Sequence, residues 1–385
     1  MRSFNCAVSL CLLFAVSRVQ GALNAEAPSS ASALPVHVEA GNATAGILAK
    51  RVALMKQGTA DLALGNTAAA TAAFESAVSM AHAPDAELGL VRGAMQAGQF
   101  RQALSISAHT AGAHQEEPEG AALYVLLLHL SGQDAAARRI LRGALARRPD
   151  DALLLQVQRS IEPDMATLTA KPGAASTFAP YSLPPLKSAT ATMSGSGVLI
   201  DGGRHALVPL ASVVHARKIW LRNGLGQLRK AVIKHRVGMD GMALLALDQA
   251  LPLFDGFNIA AKDPFPGSVV YSAEYPTMHD ALPQWPLLLH GFLGTPVVKG
   301  QNWELGLTLP GGSSGGPVFD ASGSLAGIAV PKPHGKPMFL PVSRFKRVLG
   351  DRLGPVAPPL GGPRIAVEIA YEKAMRAAVQ VLTVR

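Results

Sequence analysis

The chain has 385 residues, with 35 Lys and Arg against 26 Asp and Glu, for a formal net charge of +9. Apolar residues make up 49% and charged residues 16%, which excludes a disordered, highly charged chain. The 38 Gly and 28 Pro follow no collagen period, so they predict a turn-rich globular protein of two, or at most three, domains at roughly 100–200 residues each. The basic excess is spread out, without long like-charge runs, so no nucleic-acid-binding tail is expected.

Residues 1–21 read as an export signal. Arg2 supplies a positive start, Cys6 to Val16 is a short apolar core, and Gly21 and Ala22 offer a cleavage point. The core is too short to span a bilayer, and no later apolar run is long enough to do so. The expected protein is therefore exported, periplasmic or secreted, with no transmembrane segment in the mature chain. Both cysteines, Cys6 and Cys11, fall in the signal, leaving no disulfide and no thiolate metal site.

Residues 22–45 form an Ala/Ser/Pro-rich linker. Residues 46–162 are Ala- and Leu-rich with helical spacing. Gly65, Gly98 and Gly132 recur at intervals of 33 and 34 residues. Each opens a turn between two helices, where glycine adopts a positive φ without steric conflict. A small Ala follows at a fixed offset (Ala70, Ala103, Ala137), and Phe74 and Leu141 fill the gap four positions later. This pattern resembles the tetratricopeptide repeat, whose period is about 34 residues. The second copy lacks the late large residue and proline. An unrelated Ala-rich bundle is the alternative.

Residues 163–190 are rich in Pro, Ser and Ala and form a linker or a covering strand. In residues 191–355 short apolar runs alternate with Gly, Pro and Asp, which predicts an all-β barrel or sandwich. Residues 356–385 are expected to be a tail whose helix runs from Arg364 to Leu382. The fold class is multidomain α + β.

The most specific string is Gly311-Gly312-Ser313-Ser314-Gly315-Gly316-Pro317-Val318-Phe319. Glycines around a serine permit the tight turn that exposes a nucleophilic hydroxyl. The N–H groups of Gly312 and Ser314 would form an oxyanion hole. With the following strand pattern to Ile328, and with Gly195 to Asp201 upstream, the string resembles the chymotrypsin-fold serine proteases, especially the exported HtrA-like branch. The resemblance spans roughly Met193 to Leu353. It implies a double β-barrel with Ser314 as nucleophile. It also implies a peptide pairing beside Leu325 to Pro331, with Ile328, Ala329 and Val330 binding it. The pocket residues from Leu307 to Gly311 are uncharged, so apolar or small side chains would be preferred. Only about thirty residues follow Leu353, too few for the branch's PDZ domain.

The resemblance breaks at the base and the acid. Ser212 stands where the histidine is expected. Gly241 stands at the acid position, with Asp240 one residue earlier and so on the opposite strand face unless a bulge intervenes. Removing the base from a triad costs on the order of a million-fold in turnover. His215 is the nearest candidate for a relocated base, because residues three apart share a helix face. His205 starts its strand too far away, and His235 and His290 read as surface or packing residues. No zinc-ligand spacing is seen, so no metal and no cofactor are expected. Three readings follow: a pseudoprotease binding peptides or proteins through cleft and repeats, an active endopeptidase using Ser314 and His215, or a repeat-based assembly adaptor with a structural barrel.

Overall fold

The computed structural model describes residues 37–161, 178–237, 241–276, 281–296, 303–310, 315–330, 337–358 and 362–385. Residues Ile47–Arg385 form one compact unit.

The helical part comprises α1 (His37–Leu64), α2 (Thr67–Met80), α3 (Pro84–Ala97), α4 (Phe100–Ala113), α5 (Pro118–Leu130), α6 (Asp134–Arg147) and α7 (Ala152–Ile161). The three recurring glycines occupy the turns α1–α2, α3–α4 and α5–α6, at φ of +84°, +74° and +75°. The offsets from each glycine are buried in every hairpin: Ala70, Ala103 and Ala137, then Phe74, Ser107 and Leu141, then Ala77, Thr110 and Ala144. Ser107 stands where the other copies carry Phe74 and Leu141, and Thr110 where they carry Ala77 and Ala144. Each returns its hydroxyl proton to a carbonyl of its own helix, Leu104 and Ile106 respectively. Phe74 is clamped between Gly58 and Gly89, where a Cβ would come within 2.7 Å and 2.5 Å of its ring.

Two closed antiparallel barrels follow, the chymotrypsin-like double-barrel arrangement. The first contains β1 (Thr192–Ile200), β2 (His205–Pro209), β3 (Lys218–Asn223), β4 (Leu228–Val237) and β5 (Met242–Leu247), with the short helix α8 (Leu210–Val213) after β2. The second contains β6 (Val269–Glu274), β7 (Leu287–Pro296), β8 (Trp303–Leu305), β9 (Pro317–Asp320), β10 (Leu325–Val330) and β11 (Met338–Pro341). Helix α9 (Val342–Leu349) follows. Period-2 alternation fills each interior: Leu199, Val208, Leu221 and Leu245 in the first, Val270, Leu293, Val318 and Phe339 in the second. The outward faces are buried as well, with Leu244, Phe319, Ile328 and Leu340 in one core shared with the helices. That double burial is why the strands read as continuous apolar runs.

The tail departs from the expected helix. Helix α10 (Val367–Ala377) stops at Ala377, and β12 (Ala378–Val384) follows directly. The apolar period changes there from 3.6 to 2, with β-branched Val379, Val381 and Thr383 on alternate positions. Strand β12 lies between β1 and β3, with Gly197 opposite Val379 and Leu221 opposite Val381, and closes the first barrel. Val379 and Val381 enter that barrel's interior.

Helix α10 also ties the barrels to the helices. The Phe100 and Tyr371 rings are 4.3 Å apart. Arg376 donates to the Ala97 carbonyl at 2.7 Å, and Arg101 pairs with Glu372. Tyr371 donates to the Pro286 carbonyl. Leu183 bridges to Gln227, so the end of the linker covers the first barrel's β3–β4 turn.

Candidate functional site at the barrel junction

The end of the serine loop is built by two glycines. Gly315 has a φ of +94°. A Cβ on Gly315 would fall 2.3 Å from Pro209 Cδ and 2.5 Å from the Ser196 carbonyl oxygen. A Cβ on Gly316 would fall 2.0 Å from the Ala273 carbonyl oxygen. Both glycines are therefore required by the approach of the loop to β1 and β2 on one side and β6 on the other. Gly315 N–H donates to the Ala329 carbonyl, and Ala329 N–H donates to the Gly316 carbonyl.

The positions expected for the base and the acid lie beside β2 and β5 of the first barrel. Ser212 lies on α8, which starts directly after Pro209. Leu210 N–H donates to the Gly241 carbonyl at 2.7 Å. Gly241 has a φ of +64° and no atom within 4 Å of a Cβ position. The Leu210–Gly241 bond thus holds the start of α8, which carries Ser212, against the residue that opens β5. Ser314, Gly312 and Asp240 lie outside the described residues, as does Gly311.

His215 is exposed on the turn after α8. His205 is at the far end of β2, about 13 Å along the strand from Pro209. Its Nδ1 is 2.8 Å from Asp201. Burial pulls the Asp201 carboxyl up, but Arg204 and His205 outweigh it and hold the group below the usual range. His235 is exposed on β4. His290 on β7 meets the Ser131 carbonyl at 3.0 Å, joining the second barrel to the α5–α6 turn.

Two of the three expected peptide-binding residues have no surface to offer. Ile328 is 1% exposed and Ala329 0%. Strand β10 is paired on both edges, to β9 through Ile328 and Pro317 and to β11 through Ile328, Ala329 and Val330. Barrel closure uses the backbone groups that an added strand would need. Val330 alone of the three is only partly buried.

Sequence reasoning missed Glu274. This carboxyl, at the end of β6, is 0% exposed and accepts the Gly316 N–H at 3.0 Å. Burial pushes it up to about 8, against the opposing hydrogen bonds of the Ser196 hydroxyl and the Gly316 amide. Its bond holds the backbone two residues beyond Ser314. The signal was a lone acidic residue inside the apolar run Val269 to Tyr275.

No protein-family model and no curated protein matches the chain. Among solved structures, the chain is similar to the MamO protease domain from Magnetospirillum magneticum in its apo form. Identity is 20%, over 43% of this chain and 92% of that one, with a TM-score of 0.34. It is also similar to the HtrA-type protease AlgW with a decapeptide. Identity there is 18%, over 41% of this chain and 51% of that one, with a TM-score of 0.33. The two closed barrels themselves give the chain its fold: a chymotrypsin-like double barrel behind a helical segment.

Proposed function

We propose that this is an exported pseudoprotease, a chymotrypsin-like double barrel that retains a serine loop but does not turn over peptides. The observation that carries the reading is the pair Ser212 and Gly241, in sequence positions where a protease of this fold would need its base and acid, at the corner where α8 meets β5. A serine hydroxyl is a weak nucleophile until a neighbouring base takes its proton. Neither a serine nor a glycine does so near neutral pH. A protonated, buried Glu274 supports the loop backbone and has no solvent-facing oxygen to exchange a proton with a substrate.

Binding is assigned to the helical hairpins, which resemble tetratricopeptide repeats in their glycine period and in their buried small-residue offsets. The partner is a peptide or protein. Strand addition at β10 is not part of this reading, because both its edges are paired.

The test is labelling of the purified mature protein with a fluorophosphonate probe, read by intact mass, with Ser314→Ala alongside. No adduct over hours from a folded protein is the expected result. Rapid stoichiometric labelling that disappears in Ser314→Ala would overturn the reading and make His215 the first residue to replace.

A further inference from the structure

The α3–α4 hairpin turns at Gly98 and so returns the end of α4 to the beginning of α3. That return gathers four chemistry-bearing side chains that are scattered in sequence. His82 comes from the α2–α3 connection, Glu87 from the first turn of α3, His109 from the last turns of α4, and His114 from its C-cap. The Nε2 atoms of His82 and His109 are 3.3 Å apart. Glu87 Oε1 is 2.6 Å from His82 Nε2 and 3.6 Å from His109 Nε2. Glu87 Oε2 is 3.7 Å from His114 Nε2. The inward-facing atoms of His82, Glu87 and His114 all lie within 4.8 Å of one another.

Two of these atoms are anomalous on their own. Glu87 Oε2 and His114 Nε2 are both buried and both without a hydrogen-bond partner among the described residues. They face each other at a separation too long for a hydrogen bond. A buried acceptor left in this state is destabilising, so an unsatisfied pair aimed at one point calls for a ligand.

We propose that His82, Glu87, His109 and His114 form a binding site for a divalent transition-metal ion of the zinc type. Zinc bonds to histidine nitrogen and carboxylate oxygen of about 2.0–2.2 Å place tetrahedral ligands roughly 3.3–3.5 Å apart. The 3.3, 3.6 and 3.7 Å separations fall at or close to that spacing. The 2.6 Å separation is shorter, because His82 and Glu87 are hydrogen-bonded to each other. Metal binding would exchange that bond for two coordination bonds, and the His82 ring, 53% exposed, would move outward by roughly 0.7 Å. Three imidazoles and one carboxylate suit zinc, copper or nickel and not the all-oxygen preference of calcium or magnesium. His82, Glu87 and His114 lie within mutual ligand reach and His109 lies beside His82 and Glu87, so a bound ion would clamp the α2–α3 connection to the end of α4. No cysteine follows Cys11, so no thiolate competes for the ion. The sequence shows none of the usual ligand spacings because the hairpin, and not local spacing, supplies the geometry. The inference is independent of the barrel junction.

The experiment uses the full mature chain, stripped with a chelator and titrated with Zn2+ alone, with binding measured by calorimetry and by metal analysis after dialysis. One Zn2+ per chain and a raised melting temperature are expected. His109→Ala and His82→Ala, both at half-exposed positions, should each keep the parent's circular dichroism spectrum and weaken binding at least tenfold. Glu87→Gln should do the same with its shape conserved. His235→Ala, on the first barrel, should leave it unchanged. Co2+ substitution should give the intense visible bands of a tetrahedral centre. A folded metal-free protein that takes up no stoichiometric Zn2+ would overturn the proposal. So would uptake that survives both His82→Ala and His109→Ala, since the ion would then sit elsewhere.

Discussion

Arg222 of β3 and Gln380 of β12 are antiparallel partners, and Gln380 Oε1 accepts a 3.1 Å hydrogen bond from the Arg222 guanidinium. Both residues are 0% exposed. Arg222 also donates twice to the Ala281 carbonyl, and Gln380 Nε2 donates to the Leu282 carbonyl. The pair therefore ties the C-terminal strand to the segment that leads into β7 of the second barrel. Burial pulls the guanidinium down to about 10, which still leaves it charged at neutral pH. Gln380→Ala removes one acceptor from a buried charge. A loss of about 1.5–3 kcal/mol is expected, measured by urea unfolding against the parent chain.

Removing β12 altogether should be far more damaging. Truncation after Ala377 would leave facing edges on β1 and β3 and expose the interior around Leu199 and Leu221. Open edges beside exposed apolar surface favour association. The expected outcome is loss of the cooperative thermal transition and aggregation in size-exclusion chromatography. A truncated chain that stays monomeric, with an unchanged melting temperature, would show that the barrel closes without this strand.

Glu274 predicts a pH slope. Its folded-state value of about 8 lies above the ordinary 4.5, so the folded protein holds a proton that the unfolded chain releases. Stability from this group is full below about 4.5, falls as pH rises towards about 8, and levels beyond it. Glu274→Gln keeps an acceptor for the Gly316 N–H and removes the titration. Unfolding of the variant should lose this downward slope between those pH values, measured by parallel denaturant titrations.

The barrel corner can be tested by restoration. Ser212→His places an imidazole where the resembled proteases carry their base. Gly241→Asp adds a carboxylate at a position with free space around its Cβ, although its positive φ makes that substitution mildly strained. Fluorophosphonate labelling of the double variant should exceed that of the parent by at least tenfold. Equal labelling would show that the loop lacks a competent oxyanion hole.

Gly132 joins the helices to the second barrel. Its φ is +75°, and a Cβ there would come 2.7 Å from the Leu288 carbonyl oxygen and 2.8 Å from the His290 ring. Gly132→Ala combines backbone strain with a clash against β7. A loss of roughly 1–3 kcal/mol is expected. Gly143→Ala, on α6 with nothing closer than 3.9 Å, should be neutral or slightly stabilising in the same thermal melts.

Local pattern was enough for most of the helices and strands. Gly65, Gly98 and Gly132 announce their turns because positive φ is a one-residue property. Ala243-Leu244-Leu245 announces a buried strand because both its faces meet apolar neighbours. What only the tertiary structure decided depends on residues far apart in the chain. The seven residues of β12 look like a continuation of α10 until β1 and β3 supply their hydrogen-bond partners. Strand β10 looks like a free edge until β11 closes over it. Glu274 becomes a loop support only when Gly316 arrives 42 residues later. His82, Glu87, His109 and His114 become one cluster only when a hairpin folds back at Gly98. Periodicity is written within a few neighbouring residues, whereas closure, burial and ligand geometry arise from non-local contacts that no window of sequence contains.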